Sequence, residues 1–276
     1  MSEKLKTIAL VPNILKDPEL KAASVIAGIA AECGVVPLVS AELSGRVEHA
    51  RSASHSQMSE ADMIVTLGGD GTLLSAVHEF ENTKSAFLGI NHGNLGFLTE
   101  IEKNSLKEFR EILNGGYTTA SHLTINTQLG CDTYTALNDA TIHRDAMASM
   151  IKFRVSINGE LLYTICADGI IISTPTGSTA YSLSAGGPIV DPTVDVIILT
   201  LICPHDLNTR SILVPGSMKI TVEILEASAK AAVNFDGCRA VTVKSGDVLN
   251  VTSGDKIKLV RTCESSFYKR LKEKLF

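Results

Sequence analysis

The sequence predicts an α/β protein in which an N-terminal α/β domain with a parallel sheet precedes a C-terminal, β-rich domain that is antiparallel and sandwich-like. Up to Gly116, strand-like and helix-like segments alternate, which is typical of parallel sheets joined by helices. After Gly116, helical periodicity nearly vanishes and short β-rich runs alternate with turn signals. Asn158-Gly159 and Asp236-Gly237 each separate two such runs, and each pair predicts a tight hairpin.

We place the domain boundaries at these changes of pattern. Residues 1–116 are the predicted α/β domain, and residues 117–262 are the predicted β-rich domain. Residues 263–276 return to helix-like spacing, with basic residues late in the segment, as is common near a helix C-terminus. We expect this C-terminal helix to pack back on the first domain.

The N-terminal elements follow from local signals. Asp17-Pro18-Glu19 predicts a helix start, with a capping residue, a proline at the first helical position and an acid in the first turn. Gly34 is expected to end that helix. We predict strands at Thr7–Val11, Val35–Val39, Met63–Leu67 and Ala86–Ile90, helices at Leu20–Cys33 and Ser105–Leu113, and a short helix or loop over the polar residues 44–59.

The elements of the β-rich part follow from runs of apolar and β-branched residues. The longest of these runs has the length of a strand and is far too short to span a membrane. We predict strands at Ile151–Ile157, Ile170–Ser173, Val196–Cys203, Met218–Ile224, Val233–Phe235, Ala240–Val243 and Lys256–Val260.

The composition is that of a soluble globular protein. A chain of 276 residues can bury a substantial core, and 45% of its residues are hydrophobic while 20% are charged. The formal net charge of −5 argues against a general nucleic-acid or membrane-surface binder, but it leaves room for a local anion site. The six cysteines stand singly, without C-x-x-C or H-E-x-x-H spacing, so the sequence predicts reduced thiols and no protein metal ligands. With no signal peptide evident, we expect a cytoplasmic protein.

The most informative stretch is Gly68-Gly69-Asp70-Gly71-Thr72, which joins a strand-like run to a helix-like run. Backbone amides in such a corner, together with the positive end of the helix dipole, suit a phosphate. An acid there would repel the anion, which favours a chemical role for Asp70 in accepting a proton or steering Mg²⁺. The alternative is a tight turn in which Asp70 is an Asx-type cap, and these five residues alone leave both open.

A second stretch, from Asp168 to Tyr181, is rich in hydroxyl groups. Pro175 and Gly177 interrupt a strand there, and small hydroxyl-bearing residues cluster between Ser173 and Ser184. Hydroxyls and free amides at a helix start can bind a ribose, an amide or a phosphate, and Tyr181 can stack on a flat ring. The alternative is a well-capped helix start whose serines and threonines only satisfy backbone groups.

Three further positions carry weaker signals. Asn138-Asp139 follows a strand-like run, and a turn is the simpler interpretation of this pair without context. The loop of residues 91–97 also follows a strand, so it is expected at the same sheet edge as Asp70. His92 in this loop and His205 are interpreted as structural histidines.

Taken in order, the motifs resemble those of the NAD kinase family. GGDGT alone is shared with lipid kinases and, loosely, with phosphofructokinases, whereas the long motif ending at Tyr181 is far more specific. The matching segments are Gly68–Thr72, Asn91–Leu98, Leu137–Asp139, Asp168–Tyr181, Gly186–Val190 and Pro204-His205.

The resemblance implies an N-terminal Rossmann-like α/β domain, a C-terminal β-rich domain and a dinucleotide bound in the cleft between them. It implies transfer of a phosphoryl group from ATP, or another donor, to the 2′-hydroxyl of the adenosine ribose of NAD, giving NADP. NAD and ATP would be the small-molecule substrates, with Mg²⁺ or another divalent cation accompanying ATP. A homo-oligomer, specifically a tetramer, is implied, and no nucleic-acid or membrane partner is expected.

The resemblance also assigns roles position by position. Asp70 would act at the ribose 2′-hydroxyl, Phe97 would lie near the adenine, and Asp168 would reach the dinucleotide of a neighbouring subunit. The donor phosphates would lie at Gly68, Gly69, Gly71 and Thr72. The residues expected at NAD are Asp70, Gly71, Phe97, Asn138, Asp139, Asp168, Thr179, Ala180, Tyr181, Ser182, Leu183 and Ser184.

The sequence departs from the family pattern at three positions. Asp139 stands where glutamate is usual, which shortens the reach by one carbon and keeps the charge. Asp206 and Ser211 replace residues that are often Ser or Thr and Pro, and they affect only local loop shape.

Two other functions fit parts of the sequence. A lipid or sugar kinase can use the same GGDGT corner, although the hydroxyl cluster before Tyr181 has no purpose in it. A non-catalytic dinucleotide sensor would keep the binding pocket, but a pure binder gains nothing from Asp70 near phosphates. The sequence decides neither the preferred phosphoryl donor nor the choice between NAD and NADH.

Overall fold

The fold is described from a computed structural model covering residues 4–93, 96–144, 149–206, 208–227, 231–262 and 266–276. The chain divides into two compact units, the first formed by Met1–Ser121 with Ile257–Phe276 and the second by His122–Lys256. Among the described residues, no helix combines the length and the apolar character needed to cross a membrane.

The first unit is built on an eight-stranded sheet with helices. Its strands are β1 (Thr7–Pro12), β2 (Val36–Ser40), β3 (Arg51–Ala53), β4 (Met63–Gly68), β5 (Ala86–Asn91), β6 (Ile101–Glu102), β7 (Thr118–His122) and β20 (Ile257–Arg261). Its helices are α1 (Lys21–Glu32), α2 (His55–Ser59), α3 (Asp70–Glu79), α4 (Leu106–Leu113) and α6 (Phe267–Leu275). The strand order is β3-β2-β1-β4-β5-β20-β7, with β6 paired to β5.

The central strands of this sheet run parallel. β4 pairs in parallel with both β1 and β5, so the carboxyl ends of these three strands lie at one edge. Every residue of β4 and β5 is buried, as expected for strands covered on both faces. The loops that follow the three strands meet at this edge, because Asn13 N–H donates to the Leu67 carbonyl and His92 N–H to the Gly68 carbonyl.

The start of α1 differs from the prediction. The helix begins at Lys21, after Leu20 adopts a left-handed conformation with φ of 55°. The Asp17 carboxylate accepts hydrogen bonds from the amides of Lys21 and Ala23, at 3.0 and 3.1 Å. Asp17 therefore satisfies the first turn from further back in the chain, and Pro18 lies before the helix rather than at its first position.

The polar stretch over residues 44–59 contains more structure than predicted. It holds α2 and also β3, which extends the sheet by pairing with β2. β3 has only three residues and two of them are exposed, so it leaves almost no pattern in the sequence.

The second unit is a sandwich of two antiparallel sheets. Its strands are β8 (Ile125–Leu129), β9 (Asp132–Ala136), β10 (Asp139–Arg144), β11 (Ile151–Ile157), β12 (Glu160–Ala167), β13 (Gly169–Ser173), β14 (Val196–Ile202), β15 (Ile212–Pro215), β16 (Ile220–Glu226), β17 (Ala231–Phe235), β18 (Arg239–Val243) and β19 (Val248–Ser253). The orders are β15-β14-β13-β10-β17-β18 and β12-β11-β16-β19-β8-β9. Side chains of both sheets, including Phe153, Ile172, Val222 and Phe235, share one core. The predicted fold class is confirmed.

Both predicted hairpins are present. Asn158-Gly159 alone joins β11 to β12, whereas Asp236-Gly237 is followed by Cys238 in the three-residue connection from β17 to β18. The φ angles are 49° and 85° in the first pair and 53° and 70° in the second. Two successive positive φ angles are what a two-residue turn needs to match the twist of its strands, and Asn or Asp followed by Gly tolerates them best.

The last strand, β20, belongs to a different sheet than its sequence position suggests. A strand was predicted over Lys256–Val260 within the β-rich part, and the structure has it at Ile257–Arg261. It pairs in parallel with β5, with Leu259 opposite Phe87, so it lies inside the sheet of the first unit. Leu259 and Val260 are adjacent and both buried, which fits a strand covered on both faces.

Candidate active site

The GGDGT corner of the first unit connects β4 to α3. Gly69 is extended between the strand and the helix, and Asp70 is the first helical residue. A Cβ atom on Gly68 would lie 2.1 Å from Thr72 Oγ1, whereas a Cβ atom on Gly71 would have no heavy atom within 4 Å. Gly68 is therefore required by packing, and Gly71 leaves open space beside the first turn, where the initial amides have no acceptor within the helix.

Two residues of the loop after β1 support this corner. Asn13 Nδ2 donates to Thr72 Oγ1 at 3.0 Å, and the same oxygen lies 3.4 Å from the Gly69 amide. The Lys16 ammonium lies 3.2 Å from the position that a Cβ of Gly69 would occupy. Sequence reasoning missed Asn13 and Lys16, and the only available signal was their place after a strand at the same sheet edge.

His92 lies behind the same corner. Burial is the main cause that lowers the pKa of its imidazole, the charges of Lys103 and Lys16 act in the same direction, and Asp17 opposes them. Its Nε2 atom is buried and has no hydrogen-bond partner among the residues that the structure describes. Burial and the neighbouring lysines therefore favour the neutral form of the ring.

The Asp70 carboxylate is held by three successive amides of a distant segment. Oδ2 accepts the Phe97 amide at 2.8 Å, and Oδ1 accepts the amides of Leu98 and Thr99 at 3.2 and 3.1 Å. Oδ1 also accepts the Thr99 hydroxyl at 3.3 Å. These partners lie 27 to 29 residues away, so Asp70 is not the local turn cap that the five residues alone allowed.

The two oxygens of this carboxylate accept different numbers of hydrogen bonds. A carboxylate offers about four lone-pair sites. Among the described residues, Oδ1 accepts three hydrogen bonds and Oδ2 accepts one. Gly96 packs directly on the carboxylate, since a Cβ there would lie 1.8 Å from Oδ1. Oδ2 therefore keeps more unused lone-pair capacity than Oδ1 among the described residues.

The second unit contains a cavity of about 620 Å³, a size typical of small-molecule sites. Five of the residues predicted at NAD line it, namely Asn138, Asp139, Asp168, Ala180 and Tyr181. The other lining residues are Thr141, His143, Arg144, Ile202, Asn234, Asp236 and Gly237. The side-chain oxygens of Asn138 and Asn234 are buried without a hydrogen-bond partner among the described residues, which is costly unless a ligand or water supplies one.

Asp236 holds the Asn138-Asp139 segment in place. Its carboxylate accepts the amides of Leu137, Asn138 and Asp139 at 2.7, 2.7 and 3.0 Å. On the opposite side of the segment, the Thr174 amide donates to the Asn138 carbonyl at 2.9 Å. The sequence predicted Asp236 only as a hairpin residue, because nothing local indicates that its side chain bonds a segment 97 to 99 residues away.

The hydroxyl-rich stretch serves mainly to build the fold. Thr174 Oγ1 donates to the Leu137 carbonyl, and Ser178 Oγ pairs with both the carbonyl and the amide of Val190. Ser182 is fully buried, and its hydroxyl pairs with that of Thr200 at 3.1 Å. These contacts match the interpretation of a capped turn more closely than that of a row of ligand-binding hydroxyls.

The predicted NAD-binding residues of this stretch therefore divide into two groups. Ala180 and Tyr181 line the cavity, and Tyr181 is 47% exposed. Thr179 donates its hydroxyl to the Thr176 carbonyl. Leu183 and Ser184 lie in the short helix α5 (Tyr181–Ser184) and are not among the cavity-lining residues.

Asp168 forms an ion pair in the cavity wall. Arg144 Nε donates to Asp168 Oδ1 at 2.7 Å, and Arg144 Nη2 to Oδ2 at 3.3 Å, a bidentate geometry. Arg144 was missed by sequence reasoning. It is the last residue of β10, and its amide donates to the Asp168 carbonyl at 3.0 Å, a neighbourhood that only the pairing of β10 with β13 creates.

Asp139 carries a strongly perturbed carboxyl group. Burial raises its pKa from 3.8 to about 6, and the negative charge of Asp236 adds to the rise. The Thr141 hydroxyl, which donates to Asp139 Oδ1 at 2.8 Å, acts in the opposite direction. The cavity therefore contains a carboxyl group that changes its charge just below neutral pH.

Comparison with known proteins identifies the family. Residues 15–118 match the ATP-NAD kinase N-terminal domain, and residues 137–262 match the ATP-NAD kinase C-terminal domain. The NAD kinase of Caldanaerobacter subterraneus subsp. tengcongensis is 34% identical over 281 residues, covering 98% of this chain and 99% of that protein. The chain belongs to the NAD kinase family. It is therefore a member of a phosphotransferase family whose function is the phosphorylation of NAD, and the predicted enzyme class is confirmed.

Another member of the family and two solved structures are also similar to this chain. The NAD kinase of Moorella thermoacetica is 40% identical over 231 residues, covering 82% of this chain and 74% of that protein. The crystal structure of yeast NADH kinase complexed with NADH matches with a TM-score of 0.89 at 27% identity, over 99% of this chain and 88% of that one. An NAD kinase from Archaeoglobus fulgidus in complex with ATP, at 23% identity and a TM-score of 0.76 over 97% of both chains, supports the fold.

The buried Asp139 carboxyl makes stability depend on pH. Its pKa is higher in the folded than in the unfolded state, so the folded protein binds the extra proton between pH 4 and 6, and burial of the charge costs stability above pH 6. Asp139→Asn removes this charge and should raise the free energy of unfolding at pH 8 by on the order of 2 kcal/mol. The gain should vanish near pH 4.

Urea unfolding of both proteins at pH 8, 6 and 4 measures this difference. The exposed Asp255, changed to Asn, provides the control and should show no such trend. A stability difference that is the same at all three pH values would contradict the prediction.

Proposed function

We propose that the chain transfers the terminal phosphoryl group of ATP to the 2′-hydroxyl of the adenosine ribose of NAD, with Asp70 as general base. The observation that carries the proposal is the Asp70 carboxylate. It is fixed by the amides of residues 97–99, with fewer hydrogen bonds at Oδ2 than at Oδ1 and free space at Gly71 beside the helix start. A base held in one orientation beside a phosphate-binding corner is what this reaction requires.

The chemistry follows from these groups. A ribose hydroxyl is a poor nucleophile at neutral pH, and Asp70 Oδ2 would take its proton as the 2′-oxygen bonds to the terminal phosphorus. The bond between that phosphorus and the bridging oxygen breaks, and ADP leaves. A positioned base typically contributes about 10²–10⁴-fold to the rate.

The donor phosphates would lie at the start of α3. The amides at Gly69 and Gly71, the Thr72 side chain and the helix dipole favour negative charge there without adding a cation. The Lys16 ammonium beside Gly69 supplies a positive charge. Gly68 would act through packing, since Thr72 fills the space at its Cα. Mg²⁺ or another divalent cation would enter with the ATP substrate and would neutralise part of the negative charge of its phosphates.

NAD would occupy the cavity of the second unit. The unpartnered oxygen of Asn138 and the Asp139 carboxyl offer acceptors for hydroxyl and amino groups, and Tyr181 offers an exposed ring for stacking. Phe97 in the first unit is proposed near the adenine. Asp168 is proposed to act on the dinucleotide of a neighbouring subunit, with Arg144 holding its carboxylate.

A homotetramer in the cytoplasm is part of the proposal. The edge strands β12 and β15 expose Leu161, Leu162 and Leu213, and exposed edges with apolar side chains favour pairing with another copy. The described cysteines have free thiols, which fits a reducing compartment.

The assembly is checked by sedimentation equilibrium at micromolar concentration. We expect a mass close to four chains of 29.4 kDa. Leu161→Lys, which places a charge on the β12 edge, should shift the distribution towards smaller species. A monomer for the unmodified chain would contradict the proposal.

Asp70→Asn tests the base. Asparagine keeps the size of the side chain and one of its two acceptor oxygens but cannot take the proton, so kcat should fall by at least about two decades while NAD affinity stays within a few-fold. A Mg²⁺ titration separates the roles, because a residue that only steers the metal would regain rate at high Mg²⁺. The exposed Glu81, changed to Gln, is the control. Near-parental turnover of Asp70→Asn would exclude Asp70 as the base.

Tyr181→Ala tests the cavity as the NAD site. Base–aromatic stacking is worth roughly 1–3 kcal/mol, so the KM for NAD should rise by about one to two decades with a smaller change in kcat. Tyr181→Phe keeps the ring and should stay within a few-fold of the parent. An unchanged KM in Tyr181→Ala would remove this residue from the substrate site.

A further inference from the structure

A cluster of buried charges lies behind the segment that holds Asp70. It consists of Glu100 after that segment, Arg261 in β20 and Arg270 in α6. The side chains are 1%, 17% and 7% exposed, respectively. Burial of this kind is costly unless every charge is paired, so the contacts of the two arginines define what the cluster does.

The arginines bind the backbone as well as the glutamate. Arg270 Nη1 donates to the Phe97 carbonyl at 3.0 Å and to the Thr99 carbonyl, while Nη2 pairs with Glu100 Oε2. Arg261 Nη1 donates to the Leu98 carbonyl at 3.3 Å and to Glu100 Oε2 at 3.0 Å. The carbonyls of residues 97, 98 and 99 are therefore all bound by guanidinium groups.

The same three residues direct their amides to Asp70. Phe97, Leu98 and Thr99 each donate N–H to its carboxylate. The backbone of residues 97–99 is thus bound through its amides by the Asp70 carboxylate and through its carbonyls by the two guanidinium groups. Burial lowers the pKa of the Arg261 guanidinium, the charge of Arg270 lowers it further and the charge of Asp70 raises it, so these charges lie close enough to interact across the segment.

If Arg270 only anchored α6, its ion pair with Glu100 Oε2 would be enough. The other oxygen of Glu100, Oε1, accepts the amide and the hydroxyl of Thr262, each at 2.8 Å, so both oxygens of this carboxylate are paired. In addition, Arg270 Nη1 donates to two carbonyls of the segment that orients Asp70. A planar fork can bind these groups at once, whereas a lysine ammonium at the same place is a point charge.

We propose that Arg270 is a positioning residue of the reaction. It fixes the 97–99 segment from the C-terminal helix, and that segment fixes the Asp70 carboxylate. The inference rests on the proposed role of Asp70 as base. Since misplacement of a reacting group by about 1 Å can cost 10²-fold in rate, a looser segment should lower kcat and leave substrate affinity nearly unchanged.

Arg270→Lys is the test variant, because it keeps a positive charge opposite Glu100 while it loses the fork. We expect kcat to fall at least about tenfold, with the KM values for NAD and ATP within about twofold. The control is Lys272→Met, which removes an exposed cation from the same helix and should keep the parental kcat. Turnover is expressed per NAD-binding site, measured by titration, so that partial unfolding lowers the number of sites rather than kcat.

The double variant Asp70→Asn with Arg270→Lys separates the two proposals. If Arg270 acts through Asp70, adding Arg270→Lys to Asp70→Asn should change the residual kcat by less than about twofold. Three results would overturn the positioning role: the two substitutions lower kcat independently, so that their effects multiply in the double variant; Arg270→Lys raises KM at constant kcat; or Arg270→Lys keeps the parental kcat. In each case Asp70→Asn alone still tests the base. A parental kcat in Asp70→Asn itself would overturn both proposals.

Discussion

The structure depends twice on one interaction, a carboxylate that accepts hydrogen bonds from three successive backbone amides. Asp70 accepts those of residues 97–99, and Asp236 accepts those of residues 137–139. Successive amides converge on one anion only where the backbone bends into a concave shape, and such a bend has no internal ladder to stabilise it. The charge-assisted bonds supply that stabilisation, since they are about twice as strong as neutral ones. In each unit the interaction fixes both the aspartate side chain and the backbone segment that donates to it.

Both segments are also bound through their carbonyls, so each is held on two sides. Arg261 and Arg270 bind the carbonyls of the first segment, and Thr174 binds those of the second through its amide and hydroxyl. The close approach leaves no space for side chains. A Cβ at Gly96 would lie 1.8 Å from the Asp70 carboxylate, and one at Gly177 would lie 2.1 Å from the Asn138 carbonyl. Glycine is needed at these two positions for lack of space rather than for backbone flexibility.

The parts of the fold set by neighbouring residues could be predicted from the sequence. The strand–glycine–helix corner at Asp70, the end of α1 at Gly34 and the hairpins at Asn158 and Asp236 all depend on turn chemistry that acts over a few residues. The roles that were missed join distant parts of the chain. Arg270 meets Thr99 over 171 positions, and Asp236 meets Leu137 over 99. No local pattern marks either partner. The placement of β20 in the first sheet could not be predicted for the same reason, because its partner β5 is distant in the sequence.

The hydroxyl-rich motif allowed two interpretations in the sequence, ligand contacts or a capped turn. The hydroxyls of Thr174, Ser178 and Ser182 pair inside the protein, as the second interpretation expects. What they achieve is indirect. Thr174 holds the segment that carries Asn138, and the turn that follows carries Tyr181 to the cavity wall. Thr174 and Ser178 each satisfy buried backbone groups, so the loss of either hydroxyl would leave those groups buried and unpaired.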